Sequence, residues 1–388
     1  MSDTLAGIRV VALEQAVSLP FCTLVLAALG ADVVKVEQLG RGDVIRGWDG
    51  AVRGLSTGFV AFNAGKRDVT VDAKLPEGQE VLRRLARSAD VFCENFTPGA
   101  AARLGVGPDD LREVDPGLVY CSLSGYGQAG PYREVKAYDL LVQGESGLLL
   151  TNGTPDAPAK IGIPITDQIA GIYAALGIVA ALHERERTGE GTFLDVSMLE
   201  AAVHWLAYYP HHWWHAGEEP PRSGMRHQYL CPYGPFLAAD GRYVNVVVAS
   251  DADWHRFCAA VGRPEWIGDP RFATVSARRT NRAQLDSLVE ELVRSSPAEH
   301  WFARLDAVGL PYGRVRSIAE VVEHPQLVER GLFGQADSRV GSLPIVRFPL
   351  GSRERSRVPD LGEHTDEVLA ELGYDEAEIG ELHALAVV

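Results

Sequence analysis

One aspartate in this chain stands where a carboxylate can do chemistry. In Ile163-Pro164-Ile165-Thr166-Asp167-Gln168-Ile169 it precedes the run IAGIYAALGIVAAL (169–182), apolar almost all round. That is the pattern of a deeply buried helix. Thr166 after Pro164 predicts an N-cap, which puts Asp167 in the first turn beside backbone N–H groups that lack intrahelical partners. Those donors and the helix dipole favour the charged form. Asp167 is therefore expected to be an ionised, half-desolvated carboxylate at pH 7, available as nucleophile or base. First turns also collect aspartates that only cap, so position alone assigns no reaction.

Other clusters give less. His211, His212 and His215 flank Trp213 and Trp214 with no neighbouring Asp or Cys, so no metal site is expected. Ser122 and Ser124 have no partnered histidine in sequence, and a serine-hydrolase triad is unsupported. Cys22, Cys93, Cys121, Cys231 and Cys258 are scattered, odd in number and make no CxxC pair. That fits a reducing cytosol and argues against a disulfide framework or zinc. The N-terminus MSDTLAGIRV carries no basic-then-apolar signal pattern, and the 14-residue apolar run falls short of the ~20 that span a bilayer. A cytoplasmic protein without a membrane partner is expected. The net charge of −15 argues against nucleic acid, so any anionic ligand needs a local basic site.

Asp167 must be positioned by the elements before it. Residues 8–13, 32–37, 69–72, 91–95 and 118–124 read as strands, and 20–29 and 77–89 as helices between them. This alternation predicts a parallel sheet with helices on both faces. Glu37 ends the second strand where a ribose-binding acid can sit. The link Glu14-Gln15-Ala16-Val17-Ser18-Leu19-Pro20, however, has no glycine to admit a pyrophosphate, which excludes a dinucleotide site. The middle reads as helices at 138–150, 166–187 and 198–214, with a short strand at 192–196. A composition break at 217–227 divides a large domain, 1–225, from a smaller α+β domain, 226–330. The latter opens with a hairpin (236–238, 243–248) about Ala239-Asp240-Gly241-Arg242 and continues with helices near 251–261, 281–295 and 297–308. Residues 331–388 form a loop-and-helix tail expected to return to the large domain.

Across nearly the whole chain these segments resemble the family III CoA-transferases, a group that also holds the α-methylacyl-CoA racemases. The resemblance rests on the joint order of LAGIRV (5–10), LGADVVKVE (29–37), FNAGKRDVTVD (62–72), ENFTPGAAARLG (94–105), SLSGYGQAGPY (122–132), the helix opened by Asp167, TGEGTFLDVSMLEA (188–201), PYGPF (232–236) and LGEHT (361–365). It implies an α/β fold: an open Rossmann-like parallel sheet with a smaller α+β domain, in an interlocked homodimer. It also implies CoA transfer from an acyl-CoA to a carboxylic acid. Asp167 stands at the nucleophile's position, forming a mixed anhydride with the acyl group and then an aspartyl-CoA thioester.

On the same resemblance, CoA enters as a thioester substrate and no permanently bound cofactor is expected. Its contacts fall on Gln15, Ala16, Gln38, Asn95, Phe96, Arg103, Lys136 and Tyr138, with Lys66 and Arg67 at a strand entry able to reach phosphate. Gln15 and Gln38 stand where oxalate-type members carry a histidine and an arginine. Racemase members hold a histidine at the position of Tyr138, whose unperturbed pKa of about 10 makes it a poor base at neutral pH; 2-methylacyl-CoA racemisation is therefore the alternative to transfer. The segment GEEPPRSGMRHQYLCPYG (217–234) lacks the glycine-rich cover of oxalate-type enzymes. Arg222 and Arg226 within it could pair with a second carboxylate, so a short dicarboxylic acid is the expected acceptor.

Overall fold

The computed structural model describes residues 3–351 and 355–388. The chain divides into two compact units, one of residues 1–148, 161–207 and 325–388, the other of 149–160 and 208–324. The boundary thus falls near 207 rather than 225, where Ala207 takes φ +54° and splits the expected 198–214 helix into Met198–Trp205 and Tyr209–Ala216. A second excursion, 149–160, joins the smaller unit. Nothing in the local pattern of that stretch marks it.

The larger unit is built on six parallel strands: β1 (Arg9–Leu13), β2 (Asp32–Glu37), β3 (Arg67–Thr70), β4 (Val91–Glu94), β5 (Val119–Ser124) and β6 (Phe193–Ser197), in the order β3-β2-β1-β4-β5-β6. Along β1 the side chains alternate between two cores. Val10 and Ala12 join the Ser18–Ala28 and Ile165–Thr188 helices on one face, while Val11 and Leu13 join the Pro76–Arg87 helix and the C-terminal helices on the other. Burial on both faces explains why the strands read as continuous apolar runs.

The Ile165–Thr188 helix has 24 residues and is long and apolar enough to cross a bilayer, but half of its most apolar stretch is buried within the protein. It is a core helix, packed on Ser18–Ala28 and on β5 and β6. The expected 138–150 helix is broken at Gly147 (φ +86°) into Asp139–Glu145 and Leu148–Thr151. Two backbone hydrogen bonds tie the C-terminal segment to β3 and the residues after it: His364 N–H donates to the Asp68 carbonyl at 2.9 Å and Asp72 N–H to that of Val387 at 2.7 Å. That segment also carries an unanticipated small sheet of Phe333–Asp337, Leu343–Val346 and Arg355–Arg357. In the smaller unit the expected hairpin forms as Tyr233–Leu237 and Tyr243–Val247, and Tyr312–Arg314 adds a third antiparallel strand.

Candidate active site

The strand order reverses direction between β1 and β4: β1 leads outward to β2 and β3, β4 to β5 and β6. Open parallel sheets bind ligands in the crevice at the carboxyl ends of such a pair. Here a cavity of about 560 Å³ opens there, lined by Gln15, Ala16 and Ser18 after β1, Asn95 and Phe96 after β4, and Asp167. Asn95 ties its two rims together. Its Oδ1 accepts the Gln15 N–H at 3.0 Å and its Nδ2 donates to the Gln15 carbonyl at 2.9 Å.

Ala16 takes φ +62°, a strained backbone for a residue with a Cβ and a frequent mark of functional loops. Its N–H donates to Asp43 Oδ1 at 2.9 Å. Behind it lies a buried ionic network. Lys35 Nζ donates to Asp43 at 2.8 Å, and Lys66 Nζ donates to Glu14 at 2.6 Å, Asn63 Oδ1 at 3.0 Å and the Pro20 carbonyl at 3.0 Å. Arg46 pairs with Glu37 at 2.8 Å and Asp68 at 3.0 Å.

Asp167 is half-buried, in the first turn of its helix. The expected Thr166 cap is corrected. Thr166 lies inside the helix, and the cap comes from Asp139, whose Oδ1 accepts the Thr166 N–H at 3.0 Å and hydroxyl at 2.9 Å. Asp139 Oδ2 accepts the Gln143 amide at 2.8 Å, which orients it. The expected charge state is corrected too. Burial pushes the Asp167 carboxyl up to about 7, the Asp139 carboxylate adds to the rise, and a hydrogen bond with the Ser18 hydroxyl opposes it. Desolvation and a like charge outweigh the helix dipole, so the carboxyl of the free protein is poised near neutrality.

Of the residues expected to contact CoA, the structure gathers Gln15, Ala16, Asn95, Phe96, Lys136 and Tyr138 around the Asp167 cavity. Gln38 lines an adjoining cavity of about 430 Å³ that shares Gln15, Val44 and Phe96 with it. Arg103 lines neither. It is exposed on the Ala100–Arg103 helix, where a Cβ on Gly99 would lie 3.4 Å from Arg103 Nη1 and 3.6 Å from Arg133 Nη2. Arg133, which does line the Asp167 cavity, was not singled out by the sequence.

Lys66 is a correction. Its ammonium is sealed in the interior by Glu14 and cannot meet a phosphate, and burial pulls it down to about 8 against the opposing Glu14 charge. Arg67 is likewise taken up by Asp32, Glu367 and Glu371. In the smaller unit Arg222 donates to the Thr154 and Pro155 carbonyls at 2.9 and 2.8 Å. Arg226 pairs with Glu290 at 2.8 Å and lies over the Phe236 ring. Neither guanidinium is held ready for a substrate carboxylate. Ser18, Trp48 and Arg133 also line the cavity; with Asp139 as the cap, they were missed because their roles depend on loops and helices distant in sequence.

A Rossmann-like sheet thus places a half-buried carboxyl with a raised pKa at its switch point, in a cavity that exposed Arg133 and Lys136 also line. Residues 5–365 match the profile of CoA-transferase family III. The chain belongs to this family, and it is an acyl-CoA:carboxylate CoA-transferase. It is 33% identical over 393 residues to the human succinyl-CoA:glutarate CoA-transferase, covering 99% of this chain and 90% of that protein. It is 35% identical over 424 residues to the formyl-CoA:oxalate CoA-transferase of Streptomyces avermitilis, covering all of both. A solved CAIB/BAIF family protein from Brucella suis superposes with a TM-score of 0.86 at 35% identity, over 96% of this chain and 100% of that one.

Proposed function

We propose that this enzyme moves CoA from an acyl-CoA donor of the succinyl-CoA type to a short dicarboxylic acid, with Asp167 as the covalent nucleophile. The observation that carries this reading is the placement of the Asp167 carboxyl, desolvated yet titrating near 7, in the cavity at the carboxyl ends of β1 and β4. A carboxylate is a weak nucleophile in water and gains reactivity when stripped of it. Asp167 attacks the donor thioester to give a mixed anhydride and CoA thiolate. The thiolate takes the aspartyl carbonyl and releases the donor acid. The acceptor carboxylate then attacks the aspartyl-CoA thioester, and the returning thiolate resolves the second anhydride. Gln15, Ala16, Gln38, Asn95 and Phe96 hold CoA, and Arg103, Arg133 and Lys136 meet its phosphates.

Glutarate and oxalate, named in the two relatives, are both dicarboxylic acids, which supports that acceptor class. Transfer is preferred to racemisation because Tyr138, 74% exposed, stands where racemisation needs a second proton carrier. A chiral 2-methylacyl-CoA incubated with the enzyme in deuterated water is accordingly expected to gain no α-deuterium. We further propose a cytoplasmic homodimer. The five cysteines are free and buried, as suits a reducing compartment, and two neighbouring helices present apolar side chains to solvent.

The test is direct. Incubation with succinyl-CoA and a pool of dicarboxylic acids should yield new acyl-CoAs by mass spectrometry. Hydroxylamine added with donor should modify the peptide containing Asp167 and only then. Turnover that survives in Asp167→Ala, or label on Asp139 or Glu145, overturns the assignment.

A further inference from the structure

Ser18 opens a second helix, which packs against the helix that carries Asp167. It is 5% exposed, lies in the first turn of the Ser18–Ala28 helix and lines the same cavity as Asp167. Its approach depends on Gly171, one turn along the helix from Asp167. A Cβ there would lie 2.6 Å from the Ser18 carbonyl oxygen and 3.3 Å from Cys22 N. Glycine lets the two helices close to backbone contact, which brings the Ser18 end of one helix to the Asp167 end of the other on the wall of one cavity.

Asn95 fixes the role of the Ser18 hydroxyl as a donor. Because its Oδ1 accepts from Gln15 N–H, its Nδ2 is the atom facing the Gln15 carbonyl and Ser18. The same Nδ2 lies 3.3 Å from Ser18 Oγ. An amide nitrogen only donates, so Ser18 Oγ accepts from Asn95 and its single proton is left to donate into the cavity that Asp167 lines.

We propose that Ser18 is a catalytic hydrogen-bond donor to the Asp167 carbonyl oxygen, stabilising the oxyanion formed whenever that carbonyl is attacked. This rests on Asp167 being the covalent nucleophile. In the first step the carboxylate attacks the donor thioester, the C–S bond breaks, and the oxyanion forms on the acyl group, away from Ser18. In the second, CoA thiolate adds to the Asp167 carbonyl carbon, the carbonyl pair moves onto oxygen, and collapse expels the donor carboxylate. In the third, the acceptor carboxylate adds to the same carbon and collapse expels CoA thiolate. Both later steps place negative charge on the oxygen that Ser18 faces, and the Ser18 proton stays on Oγ throughout. Asn95 is a positioning residue that holds the hydroxyl.

The experiment compares Ser18→Ala and Ser18→Thr by steady-state and rapid-quench kinetics, with circular dichroism and the CoA-induced rise in Tm checking fold and binding. One oxyanion donor is worth roughly 100- to 1,000-fold in kcat, so Ser18→Ala should lose about that much with donor KM within about threefold. At a pH above the acid limb, where Asp167 is ionised in both proteins, labelled donor should load its acyl group onto Asp167 at close to the wild-type rate and then stall. Ser18→Thr, keeping the hydroxyl, should recover at least about tenfold. Ser18→Ala within threefold of wild type, Ser18→Thr no better than Ser18→Ala, or first-step loading slowed as much as the later steps, would each overturn the proposal. Failure of the underlying reading shows separately, as an Asp167→Ala variant that still turns over.

Discussion

A carboxyl that titrates near 7 is half-protonated in a neutral cell, and only its charged form attacks. Because kcat/KM follows the free enzyme, its acid limb should fall near pH 7 rather than in the usual carboxylate range. Asp139 supplies the second cause of the rise after burial. Asp139→Asn keeps an acceptor oxygen for the Thr166 N–H but removes the like charge. It should therefore shift the acid limb below that of wild type, and an unmoved limb would show that burial alone sets it. The same tuning costs stability. A folded pKa above the unfolded one favours folding fully below about pH 4, and the benefit disappears as pH rises through 7. Asp167→Asn is uncharged throughout. It should match wild type near pH 4 and be more stable at pH 8 by about 1–2 kcal/mol, the shift being discounted for a half-buried group. Urea titrations at the two pH values check this, with turnover abolished at both.

At the scale of elements, what could be read from the sequence was local. The strand–helix rhythm and the apolar helix behind Asp167 are carried by contiguous residues, and they stand within a few positions of where they were expected. What could not be read was made by distant partners. The Thr166 cap gave way to Asp139, 27 residues earlier, because an aspartate brought by another helix satisfies the same N–H. Lys66 follows a glycine at a strand entry, as a phosphate ligand would, yet the fold turns its ammonium onto Glu14, 52 residues away. Lys66→Met strips a buried carboxylate of its nearest cation, a loss of roughly 3 kcal/mol. It should lower Tm while leaving the CoA-induced rise in Tm nearly unchanged, whereas Arg133→Ala should do the reverse. Gly171 works between elements as well. Gly171→Ala forces a methyl against the Ser18 carbonyl and should destabilise by about 1–3 kcal/mol, with kcat falling because Ser18 is displaced; unaltered kcat would mean that the helix contact does not serve the site.

At the scale of the whole molecule, the Ile165–Thr188 helix is buried on one side only. Ile172 and Leu176, four residues apart and so on one face, are exposed, Leu176 at 62%. On the neighbouring Met198–Trp205 helix Val203 and Trp205 are exposed as well, Trp205 at 55%. A hydrogen bond between the Tyr173 hydroxyl and His204 Nδ1 pins the two helices together and fixes this face. Apolar side chains concentrated on rigid helices mark association surfaces, and a surface that meets its own copy closes a symmetric dimer. Light scattering should accordingly give twice the mass of one chain at micromolar concentration. Leu176→Asp puts a charge where the partner would bury a methyl cluster, and it should yield a monomer with the circular dichroism of a folded protein. A wild-type monomer, or a Leu176→Asp protein that remains dimeric, would show that these helices face solvent in the working enzyme.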